Sequence, residues 1–199
     1  MMKHFPITKV SEIRNEQIFN EKLNKFGCLP GFYKWWAEEN FVQEILFKLE
    51  VDNKEEIVKY LEKKDNLFCI YVGITTKRTV KERLKEHIFK HSDRLIKNNF
   101  LSTFRKTIAS IFTNNMRDVN TTNKIIDSLF IEYFVFDEPE ESASEKIKQI
   151  EKEYLKNKTE DYNNKLYILN IDLNKHPFNQ SKKLRKLRKE SREKSLKEI

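Results

Sequence analysis

The stretch CIYVGITTKRTVKERLKEHIF, residues 69–89, changes within a few positions from an apolar run to a basic one. Residues 67–74 are almost wholly apolar, which predicts a buried central strand. Apolar residues then recur every four positions, which predicts a helix over residues 78–91. The stretch therefore predicts a strand that passes directly into a helix, with Gly73 near the junction.

Two tyrosines are predicted to meet on one face of the sheet. Side chains alternate along a strand, so Tyr71 and Gly73 share a face. The aromatic segment GFYKWW, which begins at Gly31, is predicted to be extended. If the two strands pair, Tyr33 lies close to Tyr71. Gly73 then leaves space beside Tyr71, where a phosphate or a backbone can approach.

The helix that follows carries a pair of basic side chains. Arg83 and His87 lie four positions apart, so they stack on one helical face about 5.4 Å apart along the axis. A guanidinium and an imidazole beside the strand ends suit a phosphate group. On an arbitrary helix, the same spacing is more often an exposed pair on a solvated face. Both interpretations stay open on the helix alone.

Together these motifs resemble the signature of the GIY-YIG nuclease superfamily. The matching residues are GFY at 31–33, YVG at 71–73 and RLKEH at 83–87. The resemblance implies an α/β (α+β) fold in which a small central three-stranded antiparallel sheet is flanked by helices. It also implies cleavage of DNA phosphodiester bonds with a divalent metal, Mg²⁺ or Mn²⁺. The catalytic residues that it implies are Tyr33, Tyr71, Arg83, His87, Glu151 and Asn170.

The resemblance assigns the metal to a carboxylate on a later helix, and Glu151 in IEKEYLKN matches that position. A lone carboxylate suits a hard cation that keeps most of its waters. A downstream asparagine, preferably Asn170 in YILNID, would position the metal-bearing helix. The alternatives are the carboxylates Glu132 and Glu153 and the amides Asn163 and Asn164.

The remaining roles concern the phosphate and the attacking water. Arg83 would bind a non-bridging oxygen and stabilise the transition state. Either Tyr33 or Tyr71 would take the proton of the water, and the pattern does not decide between them. A free tyrosine, with a pKa of about 10, is a poor base at neutral pH, so we expect the metal and Arg83 to lower that pKa. His87 would orient a tyrosine hydroxyl or share in proton transfer, and Lys77 is a third proton acceptor or a phosphate contact.

One departure from the family pattern is the separation of the two tyrosine motifs. Tyr33 and Tyr71 lie 38 positions apart, whereas the motifs usually lie close together. Residues 38–64 fill the gap with eight acidic and five basic residues, and they predict two helices with acidic faces. We expect this segment to be an insertion between adjacent strands that points away from DNA.

The formal net charge of +8 is typical of a protein that meets a polyanion. Residues 77–106 contain ten basic and three acidic residues, and residues 181–199 contain nine and three. The second segment is predicted to be a charged helix that clamps the DNA backbone and frays without DNA. DNA contacts are predicted for Lys77, Arg78, Lys81, Lys183, Arg185, Arg188 and Arg192.

Three units are expected along the chain. They are an N-terminal helical segment over 1–27, a nuclease domain over 28–176 with the helical insertion 38–64, and a basic C-terminal helix or tail over 177–199. The N-terminal helix is predicted because Ser11 begins an amphipathic period that Gly27 ends. The other elements are predicted as helices over 100–112 and 142–157 and strands over 129–136 and 166–171. Phe100 is expected in the apolar stripe of its helix.

We therefore expect a metal-dependent DNA endonuclease, restriction-like or linked to defence, that acts on double-stranded DNA. Cutting both strands from one active site would require a homodimer or successive nicking. The alternative is a catalytically inactive nucleic-acid-binding protein of the same fold, and a third hypothesis is a helical structural protein with coincidental motifs. No apolar run approaches the about 20 residues that span a bilayer, and the N-terminus has no signal-peptide core. A cytoplasmic protein without membrane contact is expected.

Overall fold

The computed structural model describes residues 1–23, 29–137, 140–151, 165–171 and 178–198 of the chain. Its centre is an antiparallel sheet of five strands. In spatial order these are β1 (Met2–Lys9), β5 (Phe130–Phe136), β2 (Gly31–Glu38), β4 (Leu67–Thr75) and β3 (Lys63–Lys64). The expected number of three strands is therefore wrong. The strands β2, β4 and β5 form the predicted centre, and one edge strand lies on each side of it.

Residues 2–9 belong to the edge strand β1 and not to a helical segment. β1 pairs with β5, and the register shifts between Phe5 and Thr8. Pro6 lies inside that shift, where its missing N–H is tolerated because the ladder is already interrupted. The pairing partner lies far along the chain, which is why the local sequence does not reveal this strand.

The N-terminal helix is shorter than predicted. After a 3-10 turn at Val10–Ile13, α1 covers Glu16–Leu23. Asn15, and not Ser11, caps it, because the Asn15 side chain accepts hydrogen bonds from the backbone N–H groups of the first turn. The predicted glycine stop lies outside the described residues.

Eight further helices lie in the described parts of the chain. They are α2 (Glu39–Lys48), α3 (Lys54–Lys59), α4 (Val80–Ile88), α5 (Asp93–Lys97), α6 (Thr103–Phe112), α7 (Val119–Ser128), α8 (Glu140–Glu151) and α9 (Ser181–Lys197). α5 and α7 are additions to the prediction. α3 ends before residue 64, since Leu61 bridges Leu166 and the next residues join the sheet as β3. None of the described helices is long and apolar enough to cross a membrane.

Both tryptophans of β2 lie in the core. Trp35 faces the main core and stacks on Phe104 of α6, with ring centroids 4.1 Å apart. Trp36 belongs to a second buried cluster, and both side chains are at most 1% exposed. These indoles therefore stabilise the sheet and are not a surface for stacking bases.

The two faces of the sheet carry different helices. α2, from the predicted acidic insertion, packs into the main core through Val42, Ile45 and Leu46. α8 packs in a separate cluster with Phe32, through Ala143 and Ile147. The insertion is therefore part of the core on the same side as Trp35.

The basic helix α9 is folded onto the rest of the protein. It contacts α6, and Leu184 is buried in the main core. Arg192 donates hydrogen bonds to the carbonyl oxygens of Ile96 and Lys97, at 3.2 and 2.7 Å. The expectation of a segment that frays without DNA is wrong, because these contacts hold the helix in place.

Candidate active site

The strands β2 and β4 bring two tyrosines to the same face of the sheet. Tyr33 is paired with Gly73 and Trp35 with Tyr71, so the two tyrosines are diagonal neighbours. Their ring centroids lie 6.5 Å apart. Tyr33 is 1% and Tyr71 8% exposed, which places both phenols at the inner wall of the site.

α4 supplies the other two side chains of this cluster. Nε2 of His87 lies 2.7 Å from the hydroxyl of Tyr33, and the His87 ring centroid lies 6.4 Å from that of Tyr71. Arg83, one turn earlier, acts on the same Tyr33 hydroxyl through its charge and a hydrogen bond. The Arg83 side chain is 25% exposed and pairs with Glu86. The guanidinium therefore stands between the buried phenol and the solvent.

The contacts of Tyr33 restrict where the protons of this cluster lie. A guanidinium is only a donor, so the Tyr33 oxygen accepts from Arg83. The direction of the 2.7 Å hydrogen bond between Tyr33 and Nε2 of His87 depends on the tautomer of the imidazole. Nδ1 is buried and has no hydrogen-bond partner among the described residues. A buried polar atom left without a partner costs about 1–3 kcal/mol.

Burial sets the charge state of the pair. It raises the pKa of Tyr33 well above its usual range, Tyr71 adds to the rise, and Arg83 opposes it. Arg83 therefore acts on the pKa of this tyrosine in the expected direction, but burial outweighs it. Burial also lowers the pKa of His87 well below its usual range, and Arg83 and Arg105 act in the same direction. At neutral pH the pair consists of a neutral phenol and a neutral imidazole.

Both ends of α4 are held in place. Thr79 and Glu82 form a reciprocal capping box at its N-terminus. At its C-terminus, Arg105 of α6 donates hydrogen bonds to the carbonyl oxygens of His87 and Ile88, both at 2.8 Å. These contacts fix the height of α4 above the sheet and therefore the position of the His87 ring.

Arg105 is absent from the predicted site, although it acts on it as a positioning residue. It is fully buried, its Nε donates to Nδ1 of His91 at 3.0 Å, and burial lowers its pKa to about 10. The sequence does carry a signal, since Arg105 follows Phe104 on the apolar side of the helix TFRKTIASIF. A cation on the core side of an amphipathic helix needs buried partners.

Gly73 has a different role from the one expected. A Cβ at Gly73 would overlap with the ring and hydroxyl of Tyr33. The missing side chain therefore makes room for a tyrosine of the neighbouring strand and not for a phosphate. The expectation is wrong because the cross-strand partner of Gly73 already fills the space.

Asn170 holds the strand that carries Tyr71. Its Oδ1 accepts from the backbone N–H of Val72 at 2.9 Å, and its Nδ2 donates to the Val72 carbonyl oxygen at 2.8 Å. The side-chain amide thus continues the ladder at the edge of β4, where β3 pairs only with the first two residues. The expected role of Asn170 in positioning the metal-bearing helix stays a prediction. The alternatives Asn163 and Asn164 lie outside the described residues.

The rival carboxylate Glu132 lies on the face opposite the tyrosines. It is 3% exposed, and its Oε1 lies 2.7 Å from Nε2 of His4 and 2.9 Å from Nζ of Lys64. Glu132 is therefore a buried ion-pair partner. Glu151 is the last residue of α8. Its side chain, and Glu153 as a whole, lie outside the described part of the chain.

The side chains available as ligands limit which metal ion could bind at this site. The described residues contain no group of three or more His, Cys, Asp or Glu side chains that could hold a metal ion. The carboxylate next to Arg83 is Glu86, which also pairs with Arg78 at 2.7 Å and Lys90 at 3.8 Å. The expected ligand, Glu151, has its side chain outside the described residues, and a single carboxylate would suit Mg²⁺ or Mn²⁺ that keeps water ligands.

The cations predicted to contact DNA fall into two groups. Lys77, Arg78 and Lys81 surround the start of α4, and the first two are exposed. In α9, several cations also hold the fold. Lys183 pairs with Glu50 at 2.7 Å, Arg185 donates to the carbonyl oxygen of Ile171 at 3.4 Å, and Arg192 binds the end of α5. Arg188 is half-buried on the same helix.

Comparison with known proteins gives one family. The family model described as the GIY-YIG catalytic domain matches residues 31–192, which include β2, β4, α4 and most of α9. The searches of curated proteins and of solved structures gave no match to this chain.

Proposed function

Since this chain belongs to the GIY-YIG catalytic-domain family, whose members are nucleases, we propose that it is a metal-dependent DNA endonuclease with a restriction-like or defence role. The observation that carries the proposal is the buried hydrogen bond between Tyr33 and His87, with Arg83 at its solvent side. A structural role alone does not require three polar side chains to converge inside an apolar core. Their arrangement suits a phosphodiester whose phosphoryl oxygens contact Arg83.

The proton of the attacking water passes through the Tyr33–His87 pair. The water gives a proton to the Tyr33 oxygen while Tyr33 gives its own proton to Nε2 of His87. The resulting hydroxide attacks phosphorus, the P–O bond to the leaving oxygen breaks, and the leaving oxygen takes a proton from solvent. Tyr71 packs beside this pair and orients it.

Substrate binding supports this transfer electrostatically. The charge of Arg83 is one cause of the lowered pKa of His87. A bound phosphate anion neutralises Arg83, so the pKa of His87 rises when the substrate arrives. The imidazole thereby becomes a better proton acceptor only in the complex.

Glu151 would hold Mg²⁺ or Mn²⁺ beside the phosphate. When bound, such a metal supplies positive charge to the phosphoryl oxygens and acidifies a bound water. Lys77, Arg78 and Lys81 would contact neighbouring phosphates and provide affinity that does not depend on sequence. DNA with a duplex region is the proposed partner, and cleavage of both strands would use a homodimer or successive nicks.

The experiment is nicking of supercoiled plasmid with Mg²⁺, Mn²⁺ or EDTA. Wild type is compared with Tyr33→Phe, Arg83→Ala and Glu151→Gln, and with Lys63→Ala on the two-residue strand β3 as the control. We expect metal-dependent nicking that falls by about 10²–10³-fold in the three site variants and persists in the control. DNA binding by wild type without cutting of any DNA would favour the inactive binding protein of the same fold.

A further inference from the structure

Two open cavities adjoin one another beside the active site. One, of about 470 Å³, is lined by Arg83 and Glu86 at one end and by Phe100 and Lys106 at the other. The second, of about 370 Å³, lies under α9. Both are lined by Asn99 and Lys106, so the surface is continuous from Arg83 to α9.

The second cavity, called here the α9 pocket, is strongly cationic. Its basic lining residues are Lys106, Arg185, Arg188, Lys189 and Arg192, and its described lining includes no carboxylate. Nζ of Lys189 lies 3.9 Å from Oε1 of Glu193, which is also on α9. Lys106 is only 6% exposed. Burial, and then Arg188 and Arg192, lower the pKa of Lys106 to about 8. An anion in the pocket would relieve this repulsion.

Lys106 also stabilises the turn at Asn99, which lies between the two cavities. Its Nζ donates to the carbonyl oxygen and to Oδ1 of Asn99, both at 2.7 Å. Asn99 has a left-handed backbone with φ 57, a conformation that asparagine tolerates better than most residues. The turn is therefore held in one shape before any ligand binds.

This turn presents an aromatic ring to solvent. Phe100 is 75% exposed, whereas the next residue, Leu101, is 2% exposed. The sequence pattern placed Phe100 in an apolar stripe, but the turn before α6 directs it outward. An exposed ring between two cationic surfaces suits the stacking of an unpaired base, and stacking does not depend on the base.

We propose that the strand bound at Arg83 continues unpaired across Phe100 into the α9 pocket, so that the preferred substrate is a duplex with a single-stranded branch. This inference rests on the proposed function for the position of the scissile phosphate. The backbone phosphates of the branch occupy the α9 pocket, and one of its bases stacks on Phe100. A fully paired duplex has no free base face for Phe100 and gains less from this surface.

Two lysines of α9 form a matched test of the pocket. Lys189 lines it and Lys186 does not. The side chain of Lys189 is 78% exposed and that of Lys186 is 76% exposed. Each lysine Nζ lies near the carboxylate of a glutamate four residues later, at 3.9 Å for Lys189 and 3.8 Å for Lys186. Fluorescence anisotropy in EDTA would measure binding of a labelled branched duplex across a salt series. We expect Lys189→Ala to weaken binding about three- to tenfold and to lower the salt slope by roughly one, with little change in Lys186→Ala.

Phe100→Ala tests the stacking, and Phe47→Ala on α2 is its control because Phe47 is 69% exposed. We expect Phe100→Ala to lose about tenfold in affinity for the branched duplex and little for the paired duplex of the same length. Phe47→Ala should bind both as wild type does.

The outcomes separate this inference from the proposed endonuclease. If wild type cuts DNA but Lys189→Ala and Lys186→Ala bind alike, the inference is overturned and the endonuclease stands. If inorganic phosphate binds in the pocket but does not displace the labelled branch in a competition measurement, the inference is also overturned. Binding that depends on Lys189 and Phe100, without cutting of any DNA, would support the inference and remove the endonuclease.

Discussion

Replacing Gly73 by Ala tests how tightly the tyrosine is held in the site. The added Cβ would lie 2.5 Å from Cε2 of Tyr33 and closer still to Cζ and the hydroxyl. Carbon atoms in contact prefer a separation of about 3.5–4.0 Å. Because Tyr33 is 1% exposed and packs against Tyr71 and His87, the ring or the strand has to move by about 1 Å.

The cost follows from this displacement. Overpacking of a core costs about 1–3 kcal/mol. The 2.7 Å contact between Tyr33 and His87 would lengthen beyond hydrogen-bond range, which removes about 0.5–1.5 kcal/mol. We therefore expect the free energy of unfolding to fall by about 2–4 kcal/mol. A misplacement of about 1 Å also costs roughly 10²-fold in nicking rate.

A double-mutant cycle in urea unfolding identifies the cause. In a Tyr33→Ala background the ring is gone, so Gly73→Ala should cost at least about 1 kcal/mol less than it does in wild type. Gly31→Ala is the control, because its Cβ would meet the backbone carbonyl of Phe134 whether or not Tyr33 is present. Additive effects of Tyr33→Ala and Gly73→Ala would refute the steric reasoning.

Three further predictions follow from the residues around α4 and β4. Because the pKa of His87 is lowered by burial, wild type should lose stability as the pH falls below about 6.5, by up to about 1.4 kcal/mol per pH unit. Urea unfolding near pH 7 and pH 5 should show a smaller loss in His87→Gln, and equal losses would contradict a neutral buried imidazole. Asn170→Asp keeps the shape but removes the donor to the Val72 carbonyl, so the free energy of unfolding should fall by about 1–3 kcal/mol; an unchanged urea midpoint would argue against the role at the strand edge. Arg105→Met removes the buried donor to the His87 carbonyl oxygen and one of the two donors to that of Ile88, which Arg14 also contacts, so the free energy of unfolding should fall by about 1–3 kcal/mol in thermal unfolding; recovery by Arg105→Lys would show that the planar guanidinium is not required.

The elements that are correctly predicted depend on neighbours a few positions away. The apolar run of β4 and the four-residue spacing of α4 are local patterns, and α4 begins at a local capping box between Thr79 and Glu82. The spacing of Arg83 and His87 on one helical turn likewise depends only on helix geometry. These features place two of the site residues on the same element without any knowledge of the sheet.

The parts that differ from prediction depend on partners distant in the chain. β1 becomes a strand only because β5 offers it an edge, and Gly73 acquires its role only when the ring of Tyr33 occupies the space above it. The hydrogen bonds of Asn170 to Val72 join residues 98 positions apart. Which face is buried, which edge is covered and which pKa is shifted are set by such long-range contacts. The motifs of the site could therefore be identified from the residue order, whereas the protonation of Tyr33 and His87 and the surface beside Phe100 required the folded chain.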